Sequence, residues 1–538
     1  MSDSIQSRNE YIDTCKKRKR TNDMNLESES NALQAILGKE ETVSSFLANI
    51  YQLKAKVFRA CNKNNHNEEL RAIKTASTIL NKVVELGDDG LADFLHRSRC
   101  LFSPFCPISS LSRKSVDKGK PTISPPLIFH KKTPLDHSEI QNKYNSNPFA
   151  AYLDGCSIIQ NHAQLISPAF FDLTQDLQKT FPHVFVNTYL TPPHSQAVNA
   201  HADDRDVFVL QLLGKKHWKI YNQIPIPHPY PEEQVGKFPD LPVSSDVFQK
   251  GTYLDIILSP GDVLYIPRGW VHEANTNVSS DQEQIMSFHA TIALATHDWT
   301  LARMASEEFQ KCINSMHSHR LALSPSLSMT NENDKEFNEE KKRVNTDPSC
   351  DTNKLERILE KDIDSMMEMA KSHITAQLIK SKYQQKRQHH NAQMKQMFDF
   401  LSPLLSQYKH QYFSISSDRP KPNIQSKCVG PLVACCLTLT SNIRVGSTEE
   451  RDSAPPPLDI NGKQRPKGVS IAEENICSTL LSILSMIKQS PPKTTYQVSD
   501  LFAIFQESED GFHPTCDRFS LLSFVKCCVE LGALALAS

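Results

Sequence analysis

A histidine and an aspartate stand two residues apart in Asn199-Ala-His201-Ala-Asp203, and a second histidine closes the run Gly261-Asp-Val-Leu-Tyr-Ile-Pro-Arg-Gly-Trp-Val-His272. On a strand, positions i and i+2 project to one face, so a His-x-Asp pair presents an imidazole and a carboxylate to the same ion. With His272 the donor set becomes two imidazoles and one carboxylate, the facial triad of non-haem Fe(II) oxygenases. Three protein ligands on one face leave three positions open, the number that a bidentate 2-oxoacid and dioxygen need. The pattern itself is cheap. With 20 His and 61 Asp plus Glu in 538 residues, about two His-x-Asp/Glu matches are expected by chance, and three occur. His66-Asn-Glu68 lies in a polar stretch between helical runs and reads as solvated surface. His137-Ser-Glu139 ends a Pro-rich segment and reads as a helix start, with Asp136 or Ser138 as cap. Only His201 is followed at once by a pair of strand-like runs meeting at Gly214.

A second requirement can be checked in the chain. An oxygenase that uses 2-oxoglutarate must neutralise the far carboxylate of that cosubstrate inside a barrel, where an unpaired charge is costly. In Lys215-Lys-His-Trp-Lys-Ile-Tyr221, alternation puts Lys216, Trp218 and Ile220 on the inward face. Lys216 is therefore the candidate cation, against the plainer reading of a lysine snorkelling at a strand end. In Val184-Phe-Val-Asn-Thr-Tyr-Leu190, Phe185, Asn187 and Tyr189 share a face. Tyr189 is a candidate donor to the same carboxylate, and Asn187 a candidate to reach cosubstrate or substrate. Either would also serve as ordinary filling of a barrel core.

The elements that must carry these residues are short β-prone runs from Phe181 to about residue 295, separated by turn signals, as in a sandwich or barrel. Before them, Thr42-to-Phe58 spaces Phe46, Ile50, Leu53 and Val57 at three or four, which predicts one helical face. Residues 103–135 are rich in Pro and Ser and read as a long loop. After the strands, residues 353–413 carry a Leu and Met stripe at helical spacing, read as core or dimer packing. The chain then divides into a disordered tail (1–38), N-terminal helices plus barrel (39–300, barrel core about 150–300), a helical region (301–415) with a flexible insertion (320–352), and a small α/β module (421–538). That last module has strand-like Cys428-to-Thr440 and three short helices ending on Gly532-Ala-Leu-Ala-Leu-Ala537, a pattern that suits a winged helix.

Composition excludes several classes. Lys plus Arg number 60 against 61 acidic residues, so a chain-wide electrostatic grip on nucleic acid is not supported. Glycines number only 16, with no GxGxxG or GxxxxGK[ST] run, so nucleotide cradles are poor readings. The 14 cysteines form no CxxC pair and read as reduced, buried thiols. The first thirty residues lack an apolar leader core, and no stretch is apolar enough to span a membrane. The apolar share of 39% points to globular domains diluted by polar segments. Lys16-Lys-Arg-Lys-Arg20 in the tail reads as a nuclear import signal, which places the protein in the nucleus and, within it, the nucleolus.

Asn187-Thr-Tyr-Leu-Thr-Pro-Pro-His-Ser-Gln196, His201-Ala-Asp-Asp204 and Val207-Phe-Val-Leu-Gln-Leu-Leu-Gly-Lys-Lys-His-Trp218 strongly resemble the JmjC ribosomal oxygenases, bifunctional lysine-specific demethylases and histidyl-hydroxylases. Gly155-Cys-Ser157 and the run from Gly261 to His272 fit the same family. The resemblance is tight over about 150–300, architectural beyond, and faint before 140. It implies an α+β fold: a double-stranded β-helix (jelly-roll, cupin) barrel of JmjC type with flanking helices, a helical dimerisation region and a C-terminal winged-helix module. It implies an Fe(II)- and 2-oxoglutarate-dependent dioxygenase that hydroxylates a histidine of a ribosomal protein, with demethylation of histone lysines as a second activity. By position His201, Asp203 and His272 match the iron ligands, Lys216 and Tyr189 match the residues that hold 2-oxoglutarate, and Asn187 lies in the site wall. Implied partners are a ribosomal protein substrate, histone tails and a second copy of the chain, with no membrane. The rival readings are a histone lysine demethylase alone, and a non-catalytic JmjC scaffold binding chromatin or pre-ribosomes. Two positions depart from the family pattern: Ile159 stands where relatives carry a basic or polar residue, and Ala293 where they carry Ser. His289 is expected to be a hydrogen-bonded structural residue rather than a ligand.

Overall fold

The structure, a computed structural model, describes residues 31–60 except 40, residues 148–315 except 154, 197, 278–285 and 295, residues 352–413, and shorter stretches within 91–95, 127–130, 442–445, 483–501 and 518–536. The basic run at 16–20, His66, His137, the expected insertion up to residue 351, the apolar run 428–440 and the Pro-rich segment after residue 446 lie outside the described residues.

Strands β1 (Lys56–Phe58), β2 (Leu127–His130), β3 (Ser157–Gln160), β4 (Val184–Thr191), β5 (Asp206–Leu213), β6 (Lys216–Tyr221), β7 (Thr252–Leu258), β8 (Val263–Ile266), β9 (His272–Asn275) and β10 (Ser287–Leu294) form two antiparallel sheets. The larger is seven-stranded in the order β1-β8-β5-β10-β4-β3-β2, and the smaller is β7-β6-β9. Their inner faces meet: Lys216 on β6 bonds Thr191 on β4, and Trp218 on β6 lies edge-on to His289 on β10 at 5.5 Å. Antiparallel sheets closed face to face, with helices outside, make a cupin-like barrel.

The helices are α1 (Asn31–Leu37), α2 (Val43–Asn49), α3 (Pro148–Leu153), α4 (Pro168–Leu177), α5 (Ser245–Gln249), α6 (Leu301–Ser315), α7 (Thr352–His373), α8 (Ala376–Phe413) and α9 (Arg518–Glu530). Phe46 of α2 packs at 5.5 Å on Phe208 of β5 and edge-on at 5.1 Å on Tyr265 of β8. The large sheet is thus covered on both faces. That is why β5 reads as a nearly continuous apolar run (Val207-Phe-Val-Leu-Gln-Leu-Leu213) rather than an alternating one, and is buried from Asp206 to Leu212. Full burial of a Phe side chain contributes about 1.5–3 kcal/mol.

Four expectations are corrected. The tail does not run to residue 38: α1 buries Ala32, Leu33, Ile36 and Leu37, and the Ala32 amide donates to the buried Asp176 carboxylate at 2.6 Å. An apolar pair repeated at helical spacing (Ala32-Leu33, Ile36-Leu37) suffices to hold these nearly two turns in the core. The expected helix through Val57 ends at Asn49. Gln52 takes a left-handed φ of 60°, its amide donates to the Tyr265 hydroxyl at 2.9 Å, and Val57 lies opposite Leu264 in β1. The open edge of β8 outcompetes the last turns of that spacing, and the helix stops after seven residues, just short of two full turns. The Pro-rich loop contains β2, where Ile128 lies opposite Ile159. The terminal GALALA run supplies strand β13 (Leu534–Leu536), in a small sheet ordered β12 (Thr495–Gln497), β11 (Asn442–Val445), β13.

Two compact units emerge, His297–His390 and the remainder, so the boundary falls inside α8 rather than after it. Beyond His390, Phe398 stacks on Phe171 of α4 at 3.8 Å and Met394 takes a hydrogen bond from Gln164, so this end of the helix belongs with the barrel. In the same unit α9 packs against α3, with Lys526 over the Phe149 ring. Within the other unit, Trp299 is edge-on to Tyr383 at 5.3 Å and lies under Lys386. Among the described residues no helix is long and apolar enough to cross a membrane.

Candidate metal centre

His201 and His272 are joined first by backbone. They form an isolated antiparallel bridge, His201 N–H to His272 O at 3.0 Å and His272 N–H to His201 O at 2.9 Å. Asp203 is not on a strand. Its carbonyl accepts the Gly269 N–H at 2.9 Å, so the Pro267-Arg-Gly269 turn fixes the carboxylate-bearing segment as well as the approach of His272. Gly269 has φ 85°, and a Cβ there would meet Ile226 O at 2.6 Å.

A second glycine closes the other side. Gly236 has φ +83°, and a Cβ there would meet Ala200 O at 2.4 Å and His201 Cα at 2.9 Å. The neighbouring Val235 carbonyl accepts the Ala202 N–H at 2.8 Å. Gly236→Ala is therefore expected to cost about 2–4 kcal/mol in urea unfolding, from left-handed strain plus a backbone overlap that no rotamer relieves. A loss under about 1 kcal/mol would show that this approach is loose.

Nε2 of His201, Nε2 of His272 and the Asp203 carboxylate all lie within 4.8 Å of one another. Oδ1 is 3.7 Å from His201 Nε2, and Oδ2 is 3.6 Å from His272 Nε2. Each ring uses its other nitrogen on a carbonyl: His201 Nδ1–H donates to Asn199 O at 2.7 Å and His272 Nδ1–H to Trp270 O at 3.0 Å. A carbonyl only accepts, so both rings carry their proton on Nδ1 and both Nε2 lone pairs face the carboxylate. Burial pushes the His201 pKa down to about 3, helped by His272, and burial lowers His272 too, so both imidazoles are neutral ligands at physiological pH. Burial alone would raise Asp203, but the Lys237 ammonium beside it prevails and holds the acid well below the usual carboxylate range. Two neutral imidazole nitrogens and one ionised carboxylate fit a divalent transition metal.

The adjoining wall is continuous. Trp218 lies 6.1 Å from the His272 ring and 5.5 Å from that of His289, which stacks parallel on Tyr189 at 4.8 Å. Lys216 is 2% exposed; among the described residues its ammonium has one hydrogen-bond partner, the Thr191 hydroxyl at 2.9 Å, and no carboxylate. Burial drives its pKa down to about 7. A buried cation without an anion is the signature of a site for an anionic ligand. Tyr189 is raised, by burial first and then by the Asp203 charge. Asn187 shares its strand face, with Oδ1 accepting the His162 N–H at 3.1 Å.

Thus His201, Asp203 and His272 converge, and Lys216 and Tyr189 face one interior with them. Three participants are not picked out by the sequence reading: Thr191, Lys237 and the stacking role of His289. Thr191 continues the period-two face of Asn187 and Tyr189, which was the available signal. The two departures fall on this same side: Ile159 lies opposite Tyr189, and Ala293 opposite Phe185.

Residues 162–299 match a family model described as a JmjC domain. Over 131 residues the chain is 41% identical to the bifunctional lysine-specific demethylase and histidyl-hydroxylase NO66 of Aedes aegypti, covering 23% of this chain and 19% of that protein. Over 125 residues it is 37% identical to ribosomal oxygenase 1 of Danio rerio, covering 23% and 22%. The chain thus matches about a fifth of the length of these curated relatives. Among solved structures, the Escherichia coli ribosomal oxygenase YcfD in complex with cobalt and 2-oxoglutarate aligns over 93% of this chain and 99% of its own at 12% identity, with a TM-score of 0.29, too low to carry an argument.

Proposed function

A chain that carries a JmjC domain of the ribosomal-oxygenase family at residues 162–299 is, we propose, an Fe(II)- and 2-oxoglutarate-dependent dioxygenase that hydroxylates a histidine of a ribosomal protein. The observation that carries the reading is the meeting, in one interior, of a two-imidazole, one-carboxylate donor set with a buried lysine that has no anion beside it among the described residues. His201, Asp203 and His272 hold the iron, with their Nδ1–H bonds fixing ring orientation. Iron with 2-oxoglutarate supplies oxidative hydroxylation: one oxygen atom of O2 enters a substrate C–H bond, the other enters succinate, and CO2 leaves. Lys216 pairs with the far carboxylate of 2-oxoglutarate, Thr191 orients that ammonium, and Tyr189 adds a phenolic donor. Asn187 lines the substrate side. Trp218 and the Tyr189–His289 stack keep water from this wall.

Demethylation of histone lysines belongs to the same proposal as a second activity of the same oxygen chemistry. So do a nuclear, nucleolar location from the basic run at 16–20, a homodimer formed through the 301–415 helices, and a winged-helix module in 421–538. The dimer is supported by Ile363 and Met367, half-exposed apolar residues one turn apart on α7. The winged-helix reading is supported by α9 beside a three-stranded sheet.

The test is incubation of the full chain with Fe(II), 2-oxoglutarate and, in parallel, ribosomal proteins or methylated histone tails, reading succinate and peptide masses together. The expected result is succinate formed with a stable gain of one oxygen on a histidine. Loss of a methylene from lysine with release of formaldehyde, and no histidine product, would make it a demethylase alone. No succinate would leave a non-catalytic scaffold.

A further inference from the structure

Lys237 lies in the connection between β6 and β7, a segment without regular periodicity. Its ammonium donates to Asp203 Oδ1 at 2.5 Å and to Gln234 Oε1 at 2.8 Å. The backbone that carries it is fastened to the ligand-bearing segment. Val235 O takes the Ala202 N–H, the Gly236 N–H bonds Leu241 O at 2.7 Å, and Gly236 approaches His201 more closely than any side chain would permit. Lys237 is therefore held where it is by main chain on both sides. The two oxygens of Asp203 are not equivalent as a result: each faces one imidazole Nε2 at 3.6–3.7 Å, beyond hydrogen-bond distance, but only Oδ1 is engaged by an ammonium.

We propose that Lys237 is a positioning residue that reserves Oδ1 of Asp203, so that this carboxylate offers a metal one oxygen rather than two. The inference rests on the reading of the triad as a metal centre. Its chemical consequence follows from counting positions. An octahedral ion held by two imidazoles and one carboxylate oxygen keeps three positions for the cosubstrates. A carboxylate free to chelate through both oxygens takes one of those three. Charge-assisted hydrogen bonds are among the stronger ones, and Asp203 is only 18% exposed, so solvent does little to loosen this one. The same ammonium also repels a cation bound at the triad. Lys237 thus gives up metal affinity and keeps room for the 2-oxoacid.

This trade produces opposite shifts in two affinities, which a mere prop of the loop would not. The experiment uses the full chain and its Lys237→Met and Lys237→Arg variants. Co(II) is titrated first and followed by its visible absorption; 2-oxoglutarate is then titrated into the Co(II)-loaded proteins. Lys237→Met is expected to bind Co(II) about tenfold more tightly, with an altered absorption band, and 2-oxoglutarate about tenfold more weakly. Lys237→Arg is expected to stay within about threefold of the parent in both. Both affinities falling together, either one unchanged in Lys237→Met, or an Arg variant that behaves like the Met variant would overturn the proposal. If the parent itself bound no Co(II), the metal-centre reading would fall and this inference with it. A parent that binds normally beside an unresponsive Lys237→Met removes only the inference.

Discussion

His201→Ala is expected to bring 2-oxoglutarate turnover to background while leaving the protein folded. The imidazole contributes one of three donors, and its Nε2 is aimed at the Asp203 carboxylate by the Nδ1–H bond to Asn199 O. Groups that only orient a ligand are worth about 10–100-fold in metal affinity, so removing the ligand itself should cost more than a hundredfold. The fold should suffer little by comparison. The bridge to His272 is made by backbone atoms and survives truncation to Ala. Burial already opposes charge on this ring, so its removal leaves no orphaned ion. A loss of about 1–2 kcal/mol is expected in denaturant unfolding. The check is a pair of measurements on one preparation: Co(II) titration, and succinate formed from 2-oxoglutarate with Fe(II). Retained turnover with intact metal binding would remove His201 from the centre. Loss of turnover with a collapsed unfolding midpoint would mean that the variant had tested the fold instead.

The legibility of this centre has a physical basis. A donor set of rare residue types at short spacing stands out, and strand alternation carries real geometric information. It correctly turned Lys216 and Trp218 inward, both buried on β6. Strand alternation does not by itself bring His201 and Asp203 together, however. His201 sits in a one-residue bridge and Asp203 in the turn after it, so their common aim comes from the Gly269 and Val235 contacts rather than from a strand. Those contacts join residues far apart in sequence through backbone groups that every residue type possesses. No side-chain pattern announces them. Lys237 was invisible for the same reason: its segment has no periodicity, and a lysine in a polar loop is ordinarily solvated.

The fold was legible where one face was buried and misread where spacing was ambiguous. Helical spacing through Phe46, Ile50, Leu53 and Val57 is also produced by a short helix, a left-handed turn at Gln52 and a strand. Only the edge of β8 and the Tyr265 hydroxyl decide between them, and both are more than 200 positions away. Likewise, the apolar GALALA run is as suitable for a strand as for a helix end, and the open edge of β11 takes it up. The substrate side is the least legible part. Ile159 and Ala293 flank the Phe185–Asn187–Tyr189 face and make it more apolar than the family pattern implies. The depth at which these departures act becomes visible only once strand register is known.

Lys216→Met is expected to raise the 2-oxoglutarate concentration needed for half-maximal turnover on the order of 10²–10³-fold, with a smaller effect on metal binding. Removing one member of a buried, hydrogen-bonded charge pair costs about 2–5 kcal/mol, and here the ligand carboxylate would be left without a cation. The alternative role, a lysine snorkelling to solvent, predicts almost no effect, and its 2% exposure already argues against it. The pH dependence separates the two further. Burial depresses the ammonium to about 7, so in the free protein the charged form is lost as pH rises through that value. A dianionic cosubstrate binds the charged form and must draw a proton onto the amine at higher pH. Its apparent affinity should therefore fall by about tenfold per pH unit above 7, and level off below 7 where the lysine is already charged. Lys216→Arg keeps a permanent charge, so its absolute affinity will change with geometry but its profile should be flat between pH 6 and about 9. Titration of 2-oxoglutarate into Co(II)-loaded parent and Arg variant across that range reads the slope directly. A Met variant with unchanged affinity would remove Lys216 from the cosubstrate site, whereas a parent whose affinity is level from pH 6 to about 9 would show only that the amine stays charged over that range.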